Sequence, residues 1–447
     1  MKRKLILTFA LLLSMVINAQ ESISLSLEQA IDYALKNSYS AINSSRDIDI
    51  AKKKKWETTT IGLPQISAKV DYQNWIKQQV SLIPAELFGG EAGKFAEVSF
   101  NTKQSMTATA TLNQLIFDGS YIVGLQAAKV YLQISENAKE KTELSIRESV
   151  INAYGNVLIS EESVQILEQN LASLQKTLNE TTEMYKNGFN EEEDVEQLQI
   201  TLASVKSNLS KTKKLTKIAY QMLNITLGID IKTTVILSEK LNDLALKSTE
   251  LNFEPQPFNI EDHIDYKIAK NTKHSNELLV KLEQSKALPT LSSYINFGYS
   301  GFGNTGFEFL KKEQKWFNSS LLGVSLNVPI FSSLSRSAVT QQAKIELDKS
   351  KTDLIQTEQN LLLKIASAKT EYNFNIEELN TSKQNLALAE RIENKQQIKF
   401  FEGISSSFQL AEAQRQLYSM QQNYLQVMLN VITSKATLDN ALNKPIN

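Results

Sequence analysis

Seven prolines occur in 447 residues, and none lies between Pro84 and Pro255 or between Pro329 and Pro445. A proline inside a helix costs roughly 3 kcal/mol, so each gap leaves room for helices longer than a compact domain holds. Both gaps open alike. Strand-like text ends in Ile116-Phe117 or in Val328-Pro329-Ile330-Phe331, and more than 100 helix-compatible residues follow. Two long gaps with matched beginnings point to one unit used twice.

Offsets test that idea. Leu63-Pro64-Gln65-Ile66-Ser67 recurs as Leu288-Pro289-Thr290-Leu291-Ser292, 225 residues later. Ile116-Phe117 recurs as Ile330-Phe331 at 214, Tyr185-Lys186-Asn187-Gly188 as Phe400-Phe401-Glu402-Gly403 at 215, and Leu227 as Leu442 at 215. The one step, of 11 residues, falls between the two strand-like segments, where the first half has the longer loop. Each half therefore reads as helix, strand, loop, strand, long helix, turn, long helix. The first repeat spans 20–228, with strands at about 64–75 and 103–117 and helices at about 119–185 and 191–227. Residues 229–257 connect the halves and contain Pro255-Gln256-Pro257. The second repeat spans 258–447, with strands at about 289–300 and 316–331 and helices at about 333–400 and 405–442.

Residues 1–19 read as a secretory signal: Lys2, Arg3 and Lys4 at the start, an apolar stretch from Leu5 to Ile17, and Asn18-Ala19-Gln20 around the cleavage site. That apolar stretch is short for a spanning helix, which needs about 20 residues. Removing it moves the formal charge from −1 to −4, a near balance that offers nothing to nucleic acid. The chain has no cysteine, which excludes disulfides and thiol catalysis. No later run of 18 apolar residues exists, so any membrane passage is made by strands.

The strand assignments rest on period-2 alternation. Ile66, Ala68, Val70 and Tyr72 alternate with polar residues, as do Met106, Ala108, Ala110 and Leu112. Leu291, Ser293, Ile295, Phe297 and Tyr299 share one face, and so do Leu322, Val324, Leu326 and Val328. A soluble hairpin alternates equally well. The leader and four segments of membrane-strand length favour the membrane. Tyr72, Trp75, Tyr299, Trp316 and Phe317 cluster at the loop ends of these segments, where an interfacial aromatic girdle would sit.

The helices show a 3–4 spacing of apolar residues, from Ile146 to Leu178 with one gap at Ser160, and from Leu410 to Leu438 without a break. A sustained repeat of that kind marks coiled-coil packing. At 1.5 Å per residue the stretch from Gly119 to Tyr185 reaches about 100 Å, a rod or the wall of a tube. Four strands cannot close a barrel, and an open edge facing lipid leaves backbone groups unpaired. Several chains must therefore share one barrel, with the helices continuing it as a cylinder.

The duplicated halves, the Leu-Pro entry to each odd strand and the glycine turns at the hairpin tips resemble the TolC-like outer membrane efflux family, over essentially the whole mature chain. The resemblance implies a mainly α fold with membrane β. It implies a homotrimer whose 12-stranded barrel, four strands per chain, is continuous with an α-helical coiled-coil tunnel in the periplasm. It implies an equatorial domain built partly from the 229–287 connection and the C-terminal end. The chain would sit in the outer membrane of a Gram-negative bacterium, against outer-membrane lipid. It would act as the passive exit duct of a tripartite efflux or secretion system, with a periplasmic adaptor (membrane fusion) protein and an inner-membrane transporter of RND or ABC type as partners. No cofactor is implied.

The same resemblance singles out the tips. Asn187-Gly188-Phe189 and Glu402-Gly403-Ile404 place glycine before an apolar residue, the turn on which an adaptor hairpin docks. A C-capping glycine is the plain reading of both. In the family's second tip an aromatic precedes the glycine by three, an Arg follows by two, and acids follow by six and nine. Here these positions hold Phe400, Ser405, Gln409 and Glu412, so the Arg and one acid are missing, while the first tip keeps its acid at Asp194. The departure predicts closure by apolar packing of Phe400, Phe401 and Phe408. Glu412 is either a carboxylate ring at the entrance or a solvated helix-start acid. The run Glu191-Glu192-Glu193-Asp194 suits a helix N-terminus by itself, and an adaptor-facing or pore role is the alternative.

Three features invite a stronger reading than they support. The G-x-G-x-x-G match at Gly301–Gly306 has no βαβ context and reads as a surface loop. His263 and His274 fall on one helix face about 16 Å apart, too far to share a metal. Lys52 to Lys55 form a solvated face or touch anionic headgroups. No nucleophile, base or carboxylate pair suggests an enzyme. The competing class is a secreted or envelope-associated structural coiled-coil scaffold, which shares the helical repeats but not the paired strands at matched offsets.

Overall fold

The computed structural model describes residues 23–249 and 259–444. The leader and the Pro255-Gln256-Pro257 linker lie outside the described residues. The chain divides into two compact units, one of residues 1–48, 135–270 and 353–447, the other of residues 49–134 and 271–352. In chain order the elements are β1 (Ile23–Leu25), α1 (Leu27–Asn37), α2 (Tyr39–Thr60), β2 (Gln65–Asn74), β3 (Ser81–Pro84), β4 (Phe95–Val98), β5 (Gln104–Phe117), α3 (Gly119–Lys186) and α4 (Glu192–Leu227). They continue with β6 (Val235–Leu237), α5 (Leu241–Thr249), α6 (Ile264–Ser285), β7 (Thr290–Gly303), β8 (Trp316–Asn327), α7 (Ser335–Phe401) and α8 (Ser407–Ala441). The fold is mainly helical and internally duplicated, with α3 and α7 of 68 and 67 residues at equivalent places.

The second unit is organised by a four-stranded sheet in the order β2-β5-β7-β8. All its pairings are antiparallel, and the central one, β5 with β7, joins the first half of the chain to the second. Register converts the alternation of each strand into rows across the sheet. Ile66, Leu112, Ile295 and Leu322 form one row, Val70, Ala108, Tyr299 and Asn318 another, and Tyr72, Met106, Gly301 and Trp316 a third. The opposite face carries Ser67, Thr111, Asn296 and Leu321, then Lys69, Thr109, Gly298 and Ser319. One face is thus mostly apolar and the other mostly polar. The apolar side chains are open to the surroundings, with Ile66 76 % and Leu322 71 % exposed. β2 and β8 each pair on one side only, leaving two free edges of 10 and 12 residues. The long loop after β2 holds the small β3–β4 hairpin.

The first unit packs the arms of α3, α4, α7 and α8 with the short elements that link the halves. β1 pairs in parallel with β6, and α5 packs on α8. The predicted apolar stripes are buried: Val150, Val157 and Leu174 on α3 and Leu410, Val431 and Leu438 on α8 are all nearly inaccessible. Two fully buried tyrosines tie these helices to the linking elements. The Tyr154 hydroxyl donates to Leu25 O (3.1 Å) and the Tyr372 hydroxyl to Ser248 O (2.5 Å). Burial pushes the Tyr154 phenol up to about 12, so it stays a donor at any working pH.

At the start of α6, His263 is buried and its Nδ1 accepts from the Asp265 amide (3.1 Å). Burial holds its pKa below the usual histidine value, with Lys364 and Lys141 adding to the effect against Asp265. A base with a lowered folded pKa is neutral when folded and takes up its proton on unfolding. Its contribution to stability is present above pH about 6.5 and is lost as pH falls from there toward the lowered folded value. Thermal melts are expected to show such an acid limb, and His263→Gln should flatten it. An unchanged limb in the variant would assign the loss to other groups.

Candidate functional site

The two hairpin turns of the first unit repeat one another bond for bond. In the first, Gly188 N donates to Tyr185 O (2.9 Å) and Phe189 N to Met184 O (2.9 Å). In the second, Gly403 N donates to Phe400 O (3.1 Å) and Ile404 N to Lys399 O (2.8 Å). These are Schellman closures, which need a left-handed residue at the glycine. Gly188 and Gly403 supply it with φ of +79° and +75°. Nothing lies within 4 Å of where a Cβ would stand on either. Both turns present the residue after glycine to the outside, Phe189 at 79 % and Ile404 at 70 % exposure. Asn187 folds back, its Nδ2 donating to Glu183 O (2.7 Å), and Glu402 N closes the last turn of α7 onto Ile398 O (3.0 Å).

Beyond each turn the next helix starts with a capping box at the same 215-residue offset. Glu191 and Asp194 form it on α4, and Ser406 and Gln409 form it on α8. Asp194 and Gln409, nominated above as entrance residues, are therefore both the third residue of a helix-start box. Asp194 does one thing more. Its Oδ2 accepts from Glu191 N (3.3 Å) while its Oδ1 accepts from Ser407 N of the other hairpin (3.4 Å). Glu192 and Glu193 complete the acidic first turn of α4. Asp194→Ala and Gln409→Ala are each expected to cost about 1 kcal/mol of stability through the lost cap. Asp194→Ala should cost more, since it also frees the Ser407 amide. Denaturant unfolding of the purified variants measures both, and equal losses would remove the bridge from the account.

The remaining entrance candidates separate. Phe400 is 3 % exposed and packs edge-on against Phe401, with ring centroids 5.6 Å apart. Phe408 is not part of that packing and stands open. Ser405 Oγ lies 3.0 Å from Gln396 Oε1 and 2.8 Å from Gln409 Oε1, a neutral cluster where the family pattern has an arginine. Glu412 is not an isolated carboxylate: it pairs with Arg415 one turn on (2.5 Å), both side chains mostly exposed. A solvated helix-start acid describes it better than a ring of bare charge. Gln396 and Ser407 escaped the sequence reading, although Ser406-x-x-Gln409 carries the box signature that would have flagged this stretch.

On the sheet of the second unit, Tyr72, Tyr299 and Trp316 lie on the apolar face. Phe317 corrects the expected girdle. It falls in the row of Asp71, Thr107 and Ser300, on the polar face, because neighbours along a strand point to opposite sides. Trp75 lies just past β2, its amide donating to Lys103 O (2.9 Å). The loop after β7 folds Phe307 and Phe309 back onto this end of the apolar face. Tyr72 meets them at 5.4 and 5.8 Å, and Phe309, 3 % exposed, fills the space that Gly301 leaves open beside Trp316. The glycine-rich run is thus a strand end with its loop. Among the described residues no cluster of His, Asp or Glu fits a metal ion, and no helix is long and apolar enough to cross a membrane.

Similar architectures occur in solved structures. The outer membrane protein VceC from Vibrio cholerae superposes with a TM-score of 0.70 at 16% identity, over 93% of this chain and 96% of that one. The Campylobacter jejuni CmeC outer membrane channel gives a TM-score of 0.70 at 16% identity, over 93% and 85%. The open state of the Neisseria gonorrhoeae MtrE outer membrane channel gives 0.66 at 15% identity, over 93% and 88%. These likenesses establish the fold. Comparison with curated protein sequences finds no match. The model of the outer membrane efflux protein family matches residues 61–228 and 275–444, one stretch in each half and together most of the chain, and the chain belongs to that family.

Proposed function

We propose that this chain forms, as a homotrimer, the passive exit duct of a tripartite efflux or secretion system in the outer membrane of a Gram-negative bacterium. The observation that carries the reading is the four-stranded sheet with one exposed apolar face, one polar face and two free edges. Unpaired edges of that length are intolerable in lipid, and three copies joined edge to edge would make a barrel of about 12 strands. Lipid would cover the apolar face, with Tyr72, Trp75, Tyr299 and Trp316 near the headgroups. The polar face would line the pore. The helical arms would lie in the periplasm. At their ends Asn187-Gly188-Phe189 and Glu402-Gly403-Ile404 would receive the hairpin of a periplasmic adaptor, itself attached to an inner-membrane transporter of RND or ABC type. Asp194, Phe400, Ser405 and Gln409 would hold the tips together at rest.

Purified protein is expected to run as a heat-modifiable trimer from outer-membrane fractions and to give stepwise conductance in planar bilayers. A soluble periplasmic species without conductance would overturn the reading and leave the structural scaffold.

A further inference from the structure

Ten residues before Gly403 on α7, Glu393 meets Gln414, eleven residues after it on α8. Gln414 is 1 % exposed. Its amide N–H donates to the Glu393 carboxyl, while its own Oε1 is buried without a donor. An ionised carboxylate only accepts, so it cannot satisfy that oxygen and instead sets a second electron-rich atom near it. A protonated carboxyl carries one O–H and answers both ends of the amide, receiving the N–H and returning its own proton.

The surroundings favour the neutral form. Burial raises the Glu393 pKa, and the bond from Gln414 offsets this only in part. Among the described residues no cationic side chain acts on the carboxyl. The one titratable group coupled to it is Tyr418 on α8, itself pushed up by burial and neutral. Tyr418 packs in turn on Leu174, Leu178, Val195, Leu198 and Val205 of α3 and α4, an apolar cluster without charge.

We propose that Glu393 and Gln414 form a proton-operated clasp. With Glu393 neutral, two reciprocal hydrogen bonds join α7 to α8 above the second tip, and loss of the proton removes one of them and loosens the tip. A carboxyl whose folded pKa is raised adds stability that is complete in acid and lost as pH rises through the raised value. The clasp needs no channel to exist. Only its effect on conduction rests on the function proposed above.

The chain has no cysteine, so Lys395→Cys with Gln416→Cys gives a clean pair of spin-label sites on the two arms. Distances measured on the purified full chain from pH about 4 to about 8 are expected to be narrow in acid and to lengthen and broaden as pH rises. In an E393Q background two amides pair without titrating, and the acid-form distances should persist throughout. In bilayers the open fraction of the natural chain should rise on the order of tenfold with pH, the factor one net hydrogen bond supports, and E393Q should remove that rise. Label distances that ignore pH, or that shift equally in E393Q, would overturn the clasp. Distances that respond while no conductance occurs at any pH would support the clasp and sink the channel. Conductance with pH-independent distances would do the reverse.

Discussion

Gly403→Arg is expected to abolish export from cells while leaving trimers at normal abundance in the outer membrane, and Gly188→Arg to do the same. The argument separates fold from surface. A non-glycine residue at φ near +75° carries strain of about 1–2 kcal/mol, a modest part of the roughly 5–15 kcal/mol that holds a folded chain. No atom lies within 4 Å of a new Cβ at either place, so the turn closes without collision. The arginine then stands beside exposed Phe189 or Ile404, on the surface assigned to the adaptor. Efflux assays with outer-membrane fractionation test this. Full export from both variants would remove the tips from docking, and loss of the trimer would show that the turns matter to folding instead.

Gly228→Val is expected to do the opposite and destroy the protein rather than its contacts. Gly228 caps α4 at φ +79°, and there a Cβ would run into the Asn37 carbonyl and the Ser38 backbone, at the joint between α1 and α2. Backbone cannot step aside as a flexible side chain does. Strain and overlap together should cost about 3–5 kcal/mol, enough to lower abundance severely. The duplication supplies a control. Asn443, 215 residues later, ends α8 with φ +51°. Asparagine tolerates that region, so Asn443→Gly should stay within about 1 kcal/mol, losing only the acceptance from Ile264 N (3.4 Å). Melting temperatures of the two variants decide the matter, and comparable shifts would defeat the steric account.

Proline gaps, alternation and offsets were enough to read the strand faces and the long helical arms, because each is a periodic signal within one element. Even Phe317 was readable, since alternation alone puts it opposite Trp316. The pairing of β5 with β7 was not, because nothing local marks which strands of two similar halves become neighbours. The glycine turns stood out by residue type, and their identical closures follow from the offset. Glu393 and Gln414 carried no local mark. They lie 21 residues apart on opposite arms, and only the register of a hairpin about ten residues deep brings them together. The acids at the first tip looked like a charge feature, whereas Glu191 and Asp194 are occupied in starting a helix.

The two free strands have a consequence for how copies would count themselves. β2 comes from the first half and β8 from the second, so pairing between copies along these edges is head-to-tail, each copy giving one edge and receiving the other. An interface of that heterologous kind has no internal stop and makes a ring only if the turn per copy divides a full circle. Ring size is then a property of sheet curvature and helix packing, not of the edges. Substitutions that alter twist would change the number of subunits, and with it the bore, before they prevented assembly.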